Sequence, residues 1–164
     1  MSAWREIENG SKKRIVIYRP AVDSGEDLGF LPGSYEEKLA SWVEPLMETF
    51  AKICGKGNQL LKHSLECKSL GRTRGLTFED SVVIVTEAQN ATLSQIKLIL
   101  TRLGTNGRLV LEGDQNQCDL PRGRSGFLAA SEKIKHLPGV NVMKLVEEPA
   151  GTPNSRHPLS LIHI

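Results

Sequence analysis

The stretch that decides the predicted fold is S-V-V-I-V-T-E-A-Q-N, from Ser81 to Asn90. Its apolar first half predicts a buried strand, which ends where Thr86 and Glu87 begin a polar segment. A second apolar run, Leu109 to Leu111, ends in the same way at G-D-Q-N-Q, residues 113 to 117. Ligands of open parallel sheets bind just beyond the carboxyl ends of the strands. We therefore predict that acid and amide side chains from both strand ends face one crevice.

The rest of the chain alternates strand and helix signals, which favours an α/β fold. T-L-S-Q at Thr92 to Gln95 fits a helix capping box, and Gly104 stands where a helix end favours a left-handed residue. Pro45 predicts a break inside an earlier helix. Further strands are expected at Arg14–Tyr18, Leu65–Cys67 and Val142–Val146, and helices at Tyr35–Ile53, Thr92–Leu103 and Ser125–His136.

Composition indicates one folded domain in a reducing compartment. The chain has 164 residues, a formal net charge of +2 and three cysteines, and the cysteines lack the paired spacing of a metal site. No apolar run is long enough to cross a membrane and no signal peptide is recognised, so we expect a cytoplasmic protein without a membrane partner. The net charge is too small to indicate nucleic-acid binding by itself.

A series of short motifs resembles one family. The motifs are R-P-A-V with G-E-D-L-G-F-L-P-G at Arg19–Gly33, G-R-T at Gly71–Thr73, E-A-Q-N at Glu87–Asn90, L-T-R-L-G at Leu100–Gly104, G-D-x-x-Q with D-L-P at Gly113–Pro121, and R-H-P at Arg156–Pro158. In this order they resemble PhoH-like proteins, which are P-loop ATPases related to the superfamily 1 helicase core and often linked to RNA. The resemblance implies a parallel-sheet P-loop NTPase fold of the RecA or helicase kind, with ATP and Mg²⁺ as cofactors.

The resemblance also implies that the front of that fold is missing. Relatives carry a Walker A loop, G-x-x-x-x-G-K-[ST], and its strand before R-P-A-V, and this chain contains no such loop. We therefore expect residues 1–158 to be a partial domain that lacks the first strand, leaves the interior of the sheet unpaired and hydrolyses no ATP alone. Residues 159–164, L-S-L-I-H-I, resemble a translated sequencing adapter, and we expect them to be a non-native tail.

The resemblance implies roles for the two strand ends. Glu87 would orient or deprotonate the attacking water, while Gln89 and Gln117 would hydrogen-bond the γ-phosphate or that water. Thr86 stands where relatives have the aspartate that holds Mg²⁺, so Thr86 and Glu87 are the expected metal residues and metal binding is weakened. Asp114 would orient Gln117 or reach the metal. From spacing alone, Glu87 is also readable as an exposed acid and Gln89 as a polar cap of the next helix.

Arginines are the expected phosphate contacts, because a guanidinium offers several charged donors. Arg156, in R-H-P, resembles the late arginine motif of the family, and we expect it to be catalytic. Arg72 and Arg19 are expected to bind the nucleotide. Most arginines are simply solvated, and this alternative stays open for all three.

Three functional interpretations remain open at this point. The first is a fragment of an ATP-binding PhoH-like ATPase that acts on RNA or drives an attached module. The second is a non-catalytic nucleotide- or RNA-binding relative, indicated by Thr86 and the missing loop. The third is a half-domain that needs a second copy or another chain to supply the P-loop.

Overall fold

The structure is a computed structural model that describes residues 2–20, 35–55, 59–69, 75–144 and 160–163. These residues form a six-stranded sheet with apolar clusters on both faces, so the layering is α/β, as the alternation of signals predicts. Within the described residues, no helix is long and apolar enough to cross a membrane.

The sheet is mixed rather than parallel throughout. Its strands are β1 (Arg14–Arg19), β2 (Leu65–Ser69), β3 (Ser81–Val85), β4 (Arg108–Gly113), β5 (Asn141–Lys144) and β6 (Ser160–His163). They lie in the order β2-β1-β3-β4-β6-β5. The first four are parallel neighbours, whereas β6 runs antiparallel to both β4 and β5.

Helices connect the strands, and two short 3₁₀ turns follow the strands that carry the polar motifs. The described helices are α1 (Ser2–Glu8), α2 (Tyr35–Cys54), α3 (Gln59–Ser64), α4 (Leu93–Leu100) and α5 (Phe127–Ile134). The turns are Ala88–Asn90, after β3, and Gln115–Gln117, after β4. The polar side chains of both motifs therefore start from compact turns at the carboxyl ends of the strands.

Two apolar clusters hold the layers together, because alternate residues of a strand point to opposite faces of the sheet. One cluster joins Val16, Val83 and Leu109 to residues of α4 and α5. The other joins Ile15, Ile17 and Val82 to residues of α1 and α2. Strands β1 and β3 are thus buried on both faces, which explains why their sequences are continuous apolar runs.

The capping box predicted at the start of α4 is confirmed. The Thr92 side chain accepts a hydrogen bond from the Gln95 backbone N–H at 3.3 Å, and the Gln95 side chain accepts one from the Thr92 backbone N–H at 2.8 Å. The left-handed helix end predicted at Gly104 is wrong, because α4 ends at Leu100 and the φ of Gly104 is not positive. A Cβ at residue 104 would lie 2.7 Å from the Cγ of Glu79, so a larger residue there would require the Glu79 side chain to shift.

The helix break predicted at Pro45 is also wrong. Helix α2 runs without interruption from Tyr35 to Cys54 and contains Pro45. Proline removes one backbone hydrogen bond from a helix interior. Leu46 and Phe50, in the turns that follow, pack against the apolar cluster on the α1 side of the sheet. We conclude that this packing keeps the helix continuous.

The predicted parallel sheet with an unpaired interior strand is wrong. Strand β3, which the resemblance leaves without one neighbour, pairs with β1 on one side and with β4 on the other. Residues 160–163, expected from sequence to belong to a non-native tail, form β6 and lie between β4 and β5. Both edges of β3 therefore have hydrogen-bonding partners, and the origin of residues 159–164 stays a prediction.

Candidate functional site

The candidate site lies where the order of the strands reverses. From β1 the chain passes to β2 on one side and then to β3 on the other. In open α/β sheets the ligand crevice lies at such a point, beyond the carboxyl ends of the strands. The structure has a cleft of about 320 Å³ there, lined by Arg19, Pro45, Leu46, Thr49, Thr86, Glu87 and Glu112.

The cleft brings opposite charges together on neighbouring strand ends. Arg19 is the last residue of β1, Glu87 follows β3, and Glu112 is the penultimate residue of β4. Pro45 and Leu46 of α2 supply an apolar wall. The cleft can therefore bind an anionic group through the guanidinium while its carboxylates hold a cation, a water molecule or another hydrogen-bond donor.

Glu87 has a strained backbone. Its φ of 53° and ψ of 39° lie in the left-handed region, which costs a non-glycine residue roughly 1–2 kcal/mol. The Asn90 backbone N–H donates to the Glu87 carbonyl at 2.9 Å, and the Gln89 side chain donates from Nε2 to Oε2 of Glu87 at 2.7 Å. Strain of this kind is often found at functional sites, where the surroundings hold the residue in place.

Gln89 lies behind the cleft rather than in its lining. It is 1 % exposed, and both its side-chain nitrogen and its side-chain oxygen form hydrogen bonds within the protein. Its Oε1 accepts from the Asp114 backbone N–H at 3.1 Å, and its Nε2 donates to the Gln117 carbonyl at 3.2 Å as well as to Glu87. This one amide therefore connects the end of β3 to the end of β4.

Asp114 and Gln117 form a second polar unit after β4. The Asp114 carboxylate accepts from the Asn116 backbone N–H at 2.9 Å and from Nε2 of Gln117 at 2.9 Å. Asp114 is buried, whereas Gln117 is exposed. The contact fixes the direction of the Gln117 side chain, and the roles of both residues toward a ligand stay predictions.

The arrangement around Thr86 does not build a complete metal site from protein groups. The Thr86 backbone N–H donates to the Tyr18 carbonyl at 2.9 Å, and its hydroxyl donates to the same oxygen at 3.4 Å. Among the residues that the structure describes, no group of three or more His, Cys, Asp or Glu side chains is placed to hold a metal ion. The metal role of Thr86 and Glu87 stays a prediction.

Glu112 is a cleft residue that the sequence reasoning missed. It is half-buried, and burial raises the pKa of its carboxyl group, although the backbone of Glu87 and the guanidinium of Arg19 act in the opposite direction. The nearby Glu87 and Asp114 carboxylates raise this pKa further. The signal that was available is an acid at the end of the apolar run L-V-L-E-G, two residues before Asp114.

The sequence reasoning also missed a reciprocal pair of hydrogen bonds between the polar segments that follow β3 and β4. The Asn90 side chain donates to the Asp119 carboxylate at 3.1 Å and accepts from the Asp119 backbone N–H at 2.8 Å. This pair fixes the segment after the second 3₁₀ turn against the first turn. Two predicted phosphate contacts, Arg72 and Arg156, lie outside the described residues.

The fold and the cleft define an α/β protein with a candidate ligand cleft at the switch point of a mixed sheet. Solved structures of similar fold include a precorrin-8w decarboxylase from Methanobacterium thermoautotrophicum, with a TM-score of 0.46 and 14 % identity, covering 93 % of this chain and 82 % of that one. An rRNA methylase from Streptococcus thermophilus has a TM-score of 0.44 and 15 % identity, covering 97 % and 90 %. At such TM-scores the likeness carries no argument about fold or activity. The predicted parallel-sheet P-loop NTPase fold is wrong, because the sheet is mixed and β6 runs antiparallel to β4 and β5.

The sequence itself establishes the family. Residues 1–159 match the family model described as PhoH-like protein, and the chain belongs to this family, as the motifs predict. It is 38 % identical to the PhoH-like protein of Bacillus subtilis (strain 168), covering 97 % of this chain and 50 % of that one. It is 39 % identical to Protein PhoH of Escherichia coli (strain K12), covering 82 % and 40 %. The chain thus spans half or less of the length of these relatives.

Proposed function

We propose that this chain carries the water-orienting side of an ATP-binding site in a PhoH-like ATPase. The observation that supports this most is the shared cleft, which Arg19 and Glu87 line from adjacent parallel strands. Phosphoryl transfer needs positive charge at the phosphates and a group that orients the nucleophile. The resemblance of the motifs implies the same chemistry.

The described residues divide this work between them. The Arg19 guanidinium binds a phosphate oxygen, because its charged donors suit phosphate geometry. Glu87 accepts a hydrogen bond from the attacking water and takes up its proton. Pro45 and Leu46 keep solvent away from one side of the cleft. Gln117, Arg72 and Arg156 would complete the contacts to the phosphates.

Mg²⁺ fits this cleft as an ion shared with the nucleotide. Glu87, Glu112 and Thr86 present oxygen atoms along the lining, and proteins commonly hold Mg²⁺ by one or two carboxylates together with substrate phosphates. A bound ion would neutralise charge on the phosphates. Because Thr86 carries no charge, we expect weak ion binding.

A non-catalytic nucleotide-binding relative is the second candidate. Thr86 favours it, since a hydroxyl replaces the carboxylate that relatives use for the metal. A partner chain that supplies further phosphate contacts stays a third proposal. The links to RNA and to the cytoplasm rest on the sequence alone.

The binding proposal is tested by titrating the purified chain with Mg²⁺–ATP in a calorimeter. We expect Arg19→Ala to weaken binding about tenfold or more, because a hydrogen bond to a charged group contributes roughly 1.5–3 kcal/mol. Arg5→Ala, on α1 and exposed, is the matched control and should bind like the parent. Equal affinities for the two variants, or no binding by the parent, would refute the site.

Catalysis is tested separately by single-turnover hydrolysis. The chain alone should hydrolyse ATP negligibly. In a chain rebuilt with a family-like P-loop segment before Arg14, Glu87→Gln should suppress turnover while it leaves ATP affinity within about threefold, and a variant that hydrolyses ATP as fast as its parent would contradict the catalytic role of Glu87. Thr86→Asp should make ATP binding depend more strongly on Mg²⁺, because it adds a carboxylate beside the cleft. ATP binding that ignores Mg²⁺ in both the parent and Thr86→Asp would favour the non-catalytic relative.

A further inference from the structure

The Gln89 amide has no donor left for a ligand. Both N–H bonds of Nε2 are used, one by the Glu87 carboxylate at 2.7 Å and one by the Gln117 carbonyl at 3.2 Å. Its Oε1 accepts from the Asp114 backbone N–H at 3.1 Å. The residue is 1 % exposed, so direct contact with a phosphate would require these bonds to break and the side chain to leave its site.

Gly113 fixes the position of this amide from the side of β4. A Cβ at residue 113 would lie 2.7 Å from Oε1 of Gln89, 2.9 Å from its backbone N and 3.3 Å from the backbone N of Ala88. Only a glycine allows this approach. The end of β4 therefore packs directly against the amide that holds the Glu87 carboxylate.

We infer that Gln89 is a positioning residue, which holds the Glu87 carboxylate in one orientation without touching the ligand. Through Gln89, the orientation of this carboxylate depends on the position of the Gln115–Gln117 turn. The dependence arises because one nitrogen atom serves both Glu87 and Gln117. A shift of the turn stretches the bond to the Gln117 carbonyl and moves the amide that orients Glu87. The benefit for catalysis rests on the proposed ATP site, whereas the geometry does not.

The first test uses nuclear magnetic resonance on the full chain without ligand. Glu87→Ala should speed exchange of the Gln89 side-chain amide protons about tenfold, because their charged acceptor is lost and only the neutral Gln117 carbonyl is left. Gly113→Ala adds one methyl group against the Gln89 amide. It should therefore shift both the Gln89 side-chain resonances and the resonance of the Glu87 carboxyl carbon. Gln115→Ala, exposed in the same turn, is the control and should leave both unchanged.

A second variant keeps the test decisive if Gly113→Ala does not fold. Gln89→Glu retains an oxygen that accepts from the Asp114 N–H but removes both donors. The Asp114 amide should therefore stay protected from exchange while the Glu87 carboxyl resonance shifts. A Glu87 carboxyl resonance that is the same in Gln89→Glu as in the parent would overturn the inference.

Adding Mg²⁺–ATP separates positioning from direct contact. If Gln89 only positions Glu87, its side-chain amide protons stay bonded to Glu87 and to the Gln117 carbonyl, so no scalar coupling through a hydrogen bond should appear between these protons and a phosphorus atom of the nucleotide. Such a coupling would show direct contact and overturn the inference. If ATP shifts no resonance in any chain, the proposed ATP site fails, and the ligand-free measurements still decide the role of Gln89.

Discussion

Gly126→Ala should destabilise the fold strongly for a purely steric reason. The φ of −91° and ψ of −10° at Gly126 are open to any residue, so backbone strain is not involved. A Cβ there would lie 2.2 Å from the backbone N of Leu93, 2.3 Å from its Cα and 2.6 Å from the carbonyl carbon of Thr92. These are backbone atoms at the start of α4, so no side-chain rotation can relieve the contact.

The size of the effect follows from these distances. Ordinary contact needs about 3.5 Å, so the start of α5 must move away from α4 by roughly 1 Å. Overpacking of this kind typically costs about 1–3 kcal/mol. The movement also stretches the 2.8 Å hydrogen bond from the Gly126 N–H to the Ala91 carbonyl, for about 1 kcal/mol more. We expect the free energy of unfolding to fall by about 3 kcal/mol.

Urea denaturation followed by circular dichroism measures this change. Gly139→Ala is the control, because Gly139 has a φ of 84° and nothing lies within 4 Å of a Cβ built there. That variant should lose only about 1 kcal/mol, from the left-handed backbone alone. If Gly126→Ala loses no more than Gly139→Ala, α4 and α5 are not packed as described.

Three further predictions concern single side chains. Burial raises the pKa of Glu112, so the stability contributed by its protonated carboxyl group is present at low pH and is lost as the pH rises through that pKa. Glu112→Gln should therefore stabilise the fold more at pH 7 than at pH 4, as measured by urea titrations. Burial raises the pKa of Cys67 to about 11, so its alkylation by iodoacetamide, followed by mass spectrometry, should speed up about tenfold per pH unit between pH 7 and 10. Gln95→Ala removes half of the capping box and should cost about 0.5–1 kcal/mol of unfolding free energy.

Local signals were sufficient for much of the fold. The β-branched runs of β1 and β3 are buried on both faces of the sheet. A short continuous apolar run of this kind is typical of a buried parallel strand, so the sequence alone predicts it. The capping box at Thr92 needs only residues within one turn of helix. The polar segments after β3 and β4 lie at one edge of the sheet, as the sequence predicts, because the two strands are parallel neighbours.

Contacts between distant segments account for the errors. Whether α2 continues through Pro45 depends on the apolar cluster that it covers, and the backbone of Gly104 is held by a hydrogen bond from its N–H to the carbonyl of the distant Phe78 at 3.1 Å. The direction of the Gln89 amide depends on the approach of Gly113, which no local pattern encodes. Glu112 was overlooked because an acid at the end of a strand is usually only exposed.

The place of β6 in the sheet has a consequence for how the protein behaves at high concentration. Residues 160–163 cover the outer edge of β4 from Val110 to Gly113, and β5 joins the described sheet through them. The family match ends at residue 159, directly before this strand. An uncovered strand edge is a template for pairing with another molecule. Removing residues 160–163 would therefore leave the backbone groups of β4 free to pair with a second molecule. We expect such a shortened chain to aggregate during purification.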